Sequence, residues 1–235
     1  MVVALHGFSQ GPESWAELAG ISGSPEPWLC PQLAATTLQS ATGELERLAT
    51  AAAPLDLIGY SQGGRLALYA AATGALNLHT LTVISAHAGL EEPARGERLR
   101  ADELLAGRIE QEGSGWFAAY WAQLPLFAGL RLRRPELAEE LAMVRRRHQP
   151  AHLAALLRGM GGAAEPPFWP RLGGIQVPTL VIAGAEDEPY VLHGRRLAQI
   201  LPHSSLEIVP DAGHVVHLEQ PEKVAHLLSR HLHRR

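Results

Sequence analysis

Ser61 lies at the centre of the pentapeptide Gly-Tyr-Ser-Gln-Gly (59–63). An apolar run (55–58) precedes this pentapeptide and an Ala- and Leu-rich stretch (63–72) follows it, which predicts a strand, a sharp turn and a helix. Side chains two positions away on either side of the apex would collide, and the two glycines relieve that crowding. We predict that Ser61 acts as a nucleophile or a base, and its hydroxyl then needs a partner that takes its proton.

A candidate acid follows a second apolar run. Residues 179–187 predict a strand that runs into an acidic turn. Strand alternation and position in the loop favour Asp187 as the acid, and Glu186 and Glu188 are the alternatives.

A candidate histidine ends the segment Val-Pro-Asp-Ala-Gly-His (209–214). The Ala-Gly pair predicts a tight turn that projects His214, and His217 is the nearest alternative. The order serine, acid, histidine, each after a strand, is that of the α/β-hydrolase fold. We therefore predict a catalytic triad of Ser61, Asp187 and His214. The histidines near the end of the sequence are expected to be solvated: His226, His231 and His233.

An oxyanion beside Ser61 would need two backbone N–H groups directed at one point. One is expected from Gln62, the residue after the serine, and the other from Phe8, in the loop after the first strand. Gly7 would let the backbone approach closely. For His6 a structural hydrogen-bonding role is favoured over a catalytic one.

Short apolar runs that end in turn residues predict buried parallel strands. These strands are 2–5, 55–58, 81–85, 179–183 and 206–209. Apolar residues at helical spacing predict helices at 63–72, 190–200 and 222–231. The alternation indicates an α/β fold with a mostly parallel sheet flanked by helices, in a single domain over 1–235.

The interval from about 87 to 170 has a different character. It contains no convincing strand, it is rich in Arg, Glu, Leu and Trp, and prolines interrupt it. We predict an insertion of helices, at about 88–170, that forms a lid over the carboxyl edge of the sheet. The alternative is a set of helices that pack beside the sheet.

Arginines are concentrated close to Ser61 and in the predicted lid. Arg65 lies one turn into the helix after the serine, which favours a ligand role. The lid adds Arg95, Arg98, Arg100, Arg145, Arg146 and Arg147, followed by His148. Any one of these could instead be a solvated surface residue. A guanidinium binds a carboxylate through two parallel hydrogen bonds, so the set indicates a substrate with several carboxylates. An apolar wall or ordinary core packing would equally explain Trp116, Tyr120, Trp121 and Phe127.

Composition limits the binding partners and the cellular compartment that are expected for the protein. The formal net charge of −4 provides no basic field for nucleic acid. No apolar run approaches the roughly 20 residues that span a bilayer, and the first residues lack the pattern of a signal peptide. Cys30 is the only cysteine, so neither a disulfide nor a cysteine metal cluster is expected. We expect a soluble cytoplasmic protein of undetermined oligomeric state.

Longer segments resemble the 2-succinyl-6-hydroxy-2,4-cyclohexadiene-1-carboxylate synthases of menaquinone biosynthesis, which are α/β-hydrolase-fold enzymes. The matching segments occur in the family's order and cover nearly the whole chain. They are LHGF (5–8), GYSQGGR (59–65), AGL (88–90), RGERLRAD (95–102), WAQLPLF (121–127), MVR (143–145), HLAALL (152–157), GAED (184–187) and AGH (212–214). The first and last are found across the superfamily, whereas the arginine- and tryptophan-containing segments are more specific.

The resemblance implies a reaction that eliminates pyruvate from a succinyl-carboxyvinyloxy cyclohexene dicarboxylate, with no metal or organic cofactor. It also implies that His214, oriented by Asp187, makes Ser61 the base that abstracts a proton. The substrate-binding residues that it implies are Arg65, Arg98 and Arg145 for the carboxylates, and Tyr60 and Trp121 for the pocket wall.

Two departures from the family pattern affect the shape of the pocket. Residues 28–35 replace the family's Asp-Leu-Pro-Gly-His-Gly loop, and Gln62 replaces a more usual apolar residue. A hydrolase that cleaves a carboxylate-bearing ester, thioester or C–C bond through an acyl-enzyme therefore stays as the alternative function. A non-catalytic binding protein is disfavoured because it has no need of a complete triad.

Overall fold

The computed structural model describes residues 1–49 and 54–232, and the strands in these ranges form one parallel sheet. The strand order is β2-β1-β3-β4-β5-β6. The strands are β1 (Val2–Leu5), β2 (Trp28–Leu29), β3 (Leu55–Tyr60), β4 (Leu78–Ile84), β5 (Thr179–Gly184) and β6 (Ser204–Val209).

Helices cover both faces of the sheet and fill the long connection between β4 and β5. They are α1 (Ala16–Ile21), α2 (Leu38–Leu48), α3 (Gln62–Thr73), α4 (Ala94–Ala122), α5 (Ala128–Arg133), α6 (Pro135–Arg146), α7 (Pro150–Met160), α8 (Glu188–Ile200), α9 (Val216–Glu219) and α10 (Pro221–Leu232).

Alternate residues of each strand pack on opposite faces of the sheet. Val3 and Leu57 belong to the core that includes α2, α3 and α8, whereas Val2 and Ile58 belong to the core that includes α1 and α10. Because both faces are buried, the strands are uninterrupted apolar runs rather than alternating ones. The predicted α/β architecture with a parallel sheet is confirmed.

The sequence located the central elements closely and missed three at the start of the chain. The predicted strands and helices lie within three residues of the observed bounds, the largest difference being the start of β4 at 78 rather than 81. The short strand β2 and the helices α1 and α2 were not predicted. The two residues of β2 are too few to show any periodicity.

The prediction that His231 is solvated is wrong. The side chain is buried, and its Nε2 lies 3.1 Å from the carbonyl oxygen of Leu81 in β4. His231 follows Val224 and Leu228 at helical spacing, on the face of α10 that packs against the sheet. His226 is exposed as predicted. His233 lies outside the described residues.

The connection between β4 and β5 consists of α4 to α7, together termed the helical insert. All residues from 87 to 170 are described, and none of them is in a strand. The insert has its own apolar core, which includes Ile109, Phe117 and Leu153. Gly113 interrupts α4 with a φ of 82°. Among the described residues, no helix has the length and apolar character needed to cross a membrane.

Candidate active site

Ser61 lies in a strained turn between β3 and α3. Its φ of 51° is in the left-handed region, which non-glycine residues seldom adopt. A methyl group at Gly59 would overlap the carbonyl of Gly63, and one at Gly63 would overlap the carbonyl of Leu5. The two glycines therefore allow the close approach that the sequence predicted. The Ser61 N–H donates to the Ile84 carbonyl of the neighbouring strand at 2.9 Å, which fixes the turn to the sheet.

Three side chains from three loops meet at the carboxyl edge of the sheet. The Ser61 hydroxyl donates to His214 Nε2 at 3.1 Å, and His214 Nδ1–H donates to Asp187 Oδ2 at 2.7 Å. Asp187 and His214 are buried, whereas Glu186 and Glu188 are exposed. Asp187 is thus the carboxylate that contacts the imidazole. Through these hydrogen bonds a proton can pass from the serine to the histidine.

His217, the alternative histidine, has a different environment. Its ring packs between Trp15 and Tyr60, with centroid distances of 4.6 and 4.5 Å. Neither ring nitrogen has a hydrogen-bond partner among the described residues. Burial, with a contribution from nearby His214, lowers the pKa of His217 to about 3. The ring is therefore neutral and serves packing rather than proton transfer.

The two expected oxyanion-hole residues lie in segments next to the turn at Ser61. Gln62 begins α3 directly after the serine, and Phe8 follows β1, the strand that pairs with β3. The Phe8 side chain also lines the cavity beside Ser61. His6 Nδ1 lies 3.0 Å from the Gly7 carbonyl, and burial lowers the pKa of His6. This environment is consistent with the structural role expected for His6.

A cavity of about 300 Å³ adjoins Ser61 and His214. The helical insert contributes apolar lining residues that include Leu105, Trp121 and Leu157. Besides Ser61 and His214, the polar side chains of the wall are Gln62, Arg65, His87, Arg98, Asp102, Tyr120 and Tyr190. The cavity is therefore apolar on much of its surface, with positively charged and hydrogen-bonding groups close to the triad.

Arg65 and Arg98 line this cavity, and each already has a protein partner. The buried Arg65 guanidinium donates to the Gly161 carbonyl at 2.5 Å and to the Met160 carbonyl. Burial lowers the pKa of Arg65 to about 10, which still leaves it charged at neutral pH. Arg98 Nε donates to Asp102 Oδ1 at 2.8 Å, and 43% of the Arg98 side chain is exposed.

Trp121 lines the cavity, whereas Tyr60 and Arg145 lie behind its wall. Tyr60 is buried with its ring 5.4 Å from that of His214. Arg145 is also buried, and its Nε donates to Ser9 Oγ at 3.3 Å. Arg145 therefore contacts the loop that carries Phe8, and its role in binding a substrate carboxylate stays a prediction.

The remaining arginines and aromatic residues of the insert divide between surface, cavity and core. Tyr120 lines the cavity, and Trp116 stacks on it at 5.1 Å. Phe127 is buried against Trp121. Other arginines are exposed and lie outside the cavity lining, namely Arg100, Arg146 and Arg147. These three arginines are therefore solvated surface residues, which was the alternative to a ligand-binding role.

Three polar residues of the cavity were missed by sequence reasoning, namely His87, Asp102 and Tyr190. His87 follows β4 at the carboxyl edge, so its position after a predicted strand was an available signal. Tyr190 follows Asp187 by one helical turn, and its ring lies 4.4 Å from that of His214. Asp102 lies four residues after Arg98 in α4, a spacing at which helical side chains pair.

No metal site is evident in the described residues, where no three His, Cys, Asp or Glu side chains are grouped to hold an ion. The cavity instead offers guanidinium and imidazole groups, which suit an anionic organic ligand.

Comparison with known proteins gives consistent results. Residues 2–227 match the model of the Alpha/beta hydrolase family. The chain is 37% identical over 179 residues to a Bacillus subtilis protein named 2-succinyl-6-hydroxy-2,4-cyclohexadiene-1-carboxylate synthase, covering 76% of this chain. That match spans 65% of the B. subtilis protein's length.

A protein of the same name from Escherichia coli is 30% identical over 234 residues, which cover 95% of this chain and 90% of that protein. Among solved structures, that of MenH from S. aureus superposes with a TM-score of 0.91 at 27% identity, covering 98% of this chain and 92% of the other.

Proposed function

This chain belongs to the 2-succinyl-6-hydroxy-2,4-cyclohexadiene-1-carboxylate synthases of the alpha/beta hydrolase family, and we propose that it eliminates pyruvate from a succinyl-carboxyvinyloxy cyclohexene polycarboxylate in menaquinone biosynthesis. The observation that carries the proposal is the hydrogen bond from Ser61 to His214 at the wall of a cavity that also contains Arg65 and Arg98. A base and two fixed cations are what an elimination from an anionic substrate requires.

The proton-abstracting group in this proposal is Ser61. His214 Nε2 accepts the serine proton, and Asp187 stabilises the imidazolium that forms. Ser61 Oγ then takes the acidic ring proton of the substrate, which lies next to the succinyl carbonyl. The electron pair of the broken C–H bond delocalises into that carbonyl as an enolate. In this proposal the Phe8 and Gln62 N–H groups stabilise the negative charge.

The second step breaks the C–O bond to the carboxyvinyl group. The enolate electrons form a ring double bond at the succinyl-bearing carbon, and the double bond already in the cyclohexene ring shifts towards the carbon that bears the carboxyvinyloxy group. The oxygen then leaves with the C–O electron pair as enolpyruvate. The proton held by His214 can return to the departing oxygen, and the released enol becomes pyruvate. The reaction therefore consumes no water and leaves Ser61 and His214 in their starting protonation states.

Charge in the cavity wall supports an anionic substrate. Arg65 and Arg98 contribute two positive charges, and Asp102 contributes one carboxylate that pairs with Arg98. Burial raises the pKa of Asp102 against the opposing effect of Arg98. Asp102 accepts from the Nε–H of Arg98. A substrate carboxylate would therefore bind Arg98 through the terminal N–H groups of the same guanidinium.

The helical insert acts as a lid in this proposal. Its residues Leu105, Trp121 and Leu157 form one side of the cavity, and Ser61 and His214 form the other. A ligand between them is enclosed by the insert, which would keep water away from the enolate.

The proposal is tested by supplying the carboxyvinyloxy cyclohexene precursor and following pyruvate release with a coupled lactate dehydrogenase assay. Ser61→Ala and His214→Ala should each abolish release while remaining folded by circular dichroism. Hydrolysis of p-nitrophenyl acetate is measured in parallel. Brisk ester cleavage without pyruvate release would reject the synthase function and favour the hydrolase alternative.

A further inference from the structure

A buried carboxylate lies directly beneath the turn that carries His214. Glu219 Oε2 accepts the Gly213 N–H at 2.9 Å, and Oε1 accepts the Val215 N–H at 3.2 Å. The two N–H groups belong to the residues on either side of His214. The Glu219 side chain is 0% exposed, so these bonds are formed away from solvent. The carboxylate thus holds both ends of the one-residue segment that presents the imidazole.

The partner of this carboxylate comes from the helical insert. Arg133, the last residue of α5, donates from one guanidinium nitrogen to Glu219 Oε2 at 2.9 Å. Its other terminal nitrogen donates to Glu186, the residue before Asp187. Gly129 packs so closely on this ion pair that a methyl group there would overlap both Glu219 and Arg133. One guanidinium therefore contacts the residue next to the triad acid and the carboxylate beneath the triad histidine.

The two triad loops also contact each other directly. The Glu186 N–H donates to the Ala212 carbonyl at 2.9 Å, and a methyl group at Gly184 would overlap the Gly213 carbonyl. Arg133 spans this junction from the side of the insert. Displacement of α5 would consequently alter the relative position of Asp187 and His214.

From this arrangement we propose that Glu219 is a positioning residue for His214 and that Arg133 couples the position of the helical insert to the geometry of the triad. The inference rests on the proposed function only in taking Ser61, Asp187 and His214 as the reacting groups. Neither Glu219 nor Arg133 lines the cavity. Their effect should therefore appear in the chemical step rather than in substrate binding.

A buried ion pair contributes little net stability compared with apolar groups of the same size. Beyond any such stabilisation, the carboxylate fixes the backbone on both sides of the histidine, because its two oxygens accept the Gly213 and Val215 N–H groups. Glutamine has nearly the same volume but only one accepting oxygen. Its NH2 group would therefore lie against one of the two backbone N–H groups, and that hydrogen bond would be lost. Glu219→Gln is for that reason the most informative substitution.

The experiment compares Glu219→Gln and Arg133→Met with Arg158→Met. Arg158 also pairs with two carboxylates, those of Glu103 and Glu110, but on the exposed side of the insert and away from the triad loops. Three measurements are made on each folded variant. They are kcat and KM for pyruvate release, the rate at which a fluorophosphonate modifies Ser61, and the downfield proton resonance of the His214 Nδ1–H bonded to Asp187.

We expect Glu219→Gln to lower kcat by about 100-fold, the effect of misplacing a catalytic group by about 1 Å, with little change in KM. The fluorophosphonate reaction should slow in parallel and the downfield resonance should shift or broaden. Arg133→Met should show the same pattern to a smaller degree, and Arg158→Met should match the wild type. Wild-type values of the resonance and the fluorophosphonate rate in Glu219→Gln would overturn the inference, as would equal losses in Arg158→Met.

The fluorophosphonate and resonance measurements do not depend on the identity of the substrate. If the wild type released no pyruvate but Glu219→Gln still slowed the modification of Ser61, the synthase proposal would fail and the positioning role would stand.

Discussion

His87 Nδ1 accepts the backbone N–H of Gly89 at 3.0 Å, which assigns the ring proton of the neutral imidazole to Nε2. Burial, followed by the positive charges of Arg65 and of nearby groups, lowers the pKa of His87 well below 6.5. A methyl group on Gly162 would lie 3.6 Å from His87 Nε2 and 3.7 Å from the guanidinium carbon of Arg98. A neutral donor and a cation therefore reach the same part of the cavity.

His87→Phe should raise KM for the cyclohexene precursor by about 3- to 10-fold, because it removes one neutral hydrogen-bond donor while retaining an aromatic ring. The pH profile of wild-type kcat/KM should contain no ionisation of His87 between pH 6 and 8, since the ring stays neutral there. The control is His193→Phe, because His193 packs 4.9 Å from His87 but does not line the cavity. An unchanged KM in His87→Phe would show that Nε2 does not contact the substrate.

Arg98→Met should lower kcat/KM for the precursor by about 10- to 100-fold, the contribution expected of a hydrogen bond between charged groups. Hydrolysis of neutral p-nitrophenyl acetate should change little, because that ester has no carboxylate for Arg98 to bind. Arg100→Met is the matched control, since Arg100 lies on the same helix, exposed and outside the cavity. Equal losses of Arg98→Met on both substrates would contradict a carboxylate-binding role.

His217 should make the protein less stable in mild acid. Its pKa falls from 6.5 to about 3 on folding because the ring is buried. Between these values the unfolded chain binds a proton that the folded chain does not, so the free energy of unfolding decreases as the pH falls below 6.5. From pH 7.5 to pH 5 the loss from this group is about 2 kcal/mol.

Urea unfolding of the wild type and His217→Phe at these two pH values measures the effect. His217→Phe keeps the stacking on Trp15 and Tyr60 but cannot titrate, so its stability should fall less between the two pH values. His226→Gln, at an exposed position of α10, should retain the wild-type pH dependence. The same pH dependence in His217→Phe and the wild type would count against the assignment.

The sequence allowed the sheet and the turn at Ser61 to be predicted because their signals are local. The strands covered on both faces are short apolar runs, and the glycines at 59 and 63 are required by backbone contacts within a few residues or with the adjacent strand. The meeting of Asp187 and His214 with Ser61 followed from one topological rule, that carboxyl ends of parallel strands share an edge.

Contacts made by the helical insert could not be predicted in the same way. Arg65 and Arg145 were both interpreted as ligand-binding residues from type and family resemblance. In the structure Arg65 also donates to the Met160 and Gly161 carbonyls and Arg145 to the Ser9 hydroxyl, and these partners are 95 or more residues away in sequence. No periodicity encodes such pairs, because they depend on how α6 and α7 pack over the sheet. The same reason explains why the contact between Arg133 and Glu219 has no sequence signal.

The need for glycine at position 63 can be tested with two substitutions that should change stability in opposite directions. Gly63→Ala would place a methyl group against the Leu5 carbonyl, and because both are backbone atoms of packed elements neither can move freely. Overpacking of this kind typically costs about 1–3 kcal/mol, and we expect the upper end of that range together with loss of pyruvate release. Gly107→Ala, within α4 and with no atom near the added methyl group, should instead stabilise the protein by about 0.5–1 kcal/mol through helix propensity. Thermal unfolding of both variants measures the difference, and a Gly63→Ala protein as stable and active as the wild type would show that the turn at Ser61 does not need glycine there.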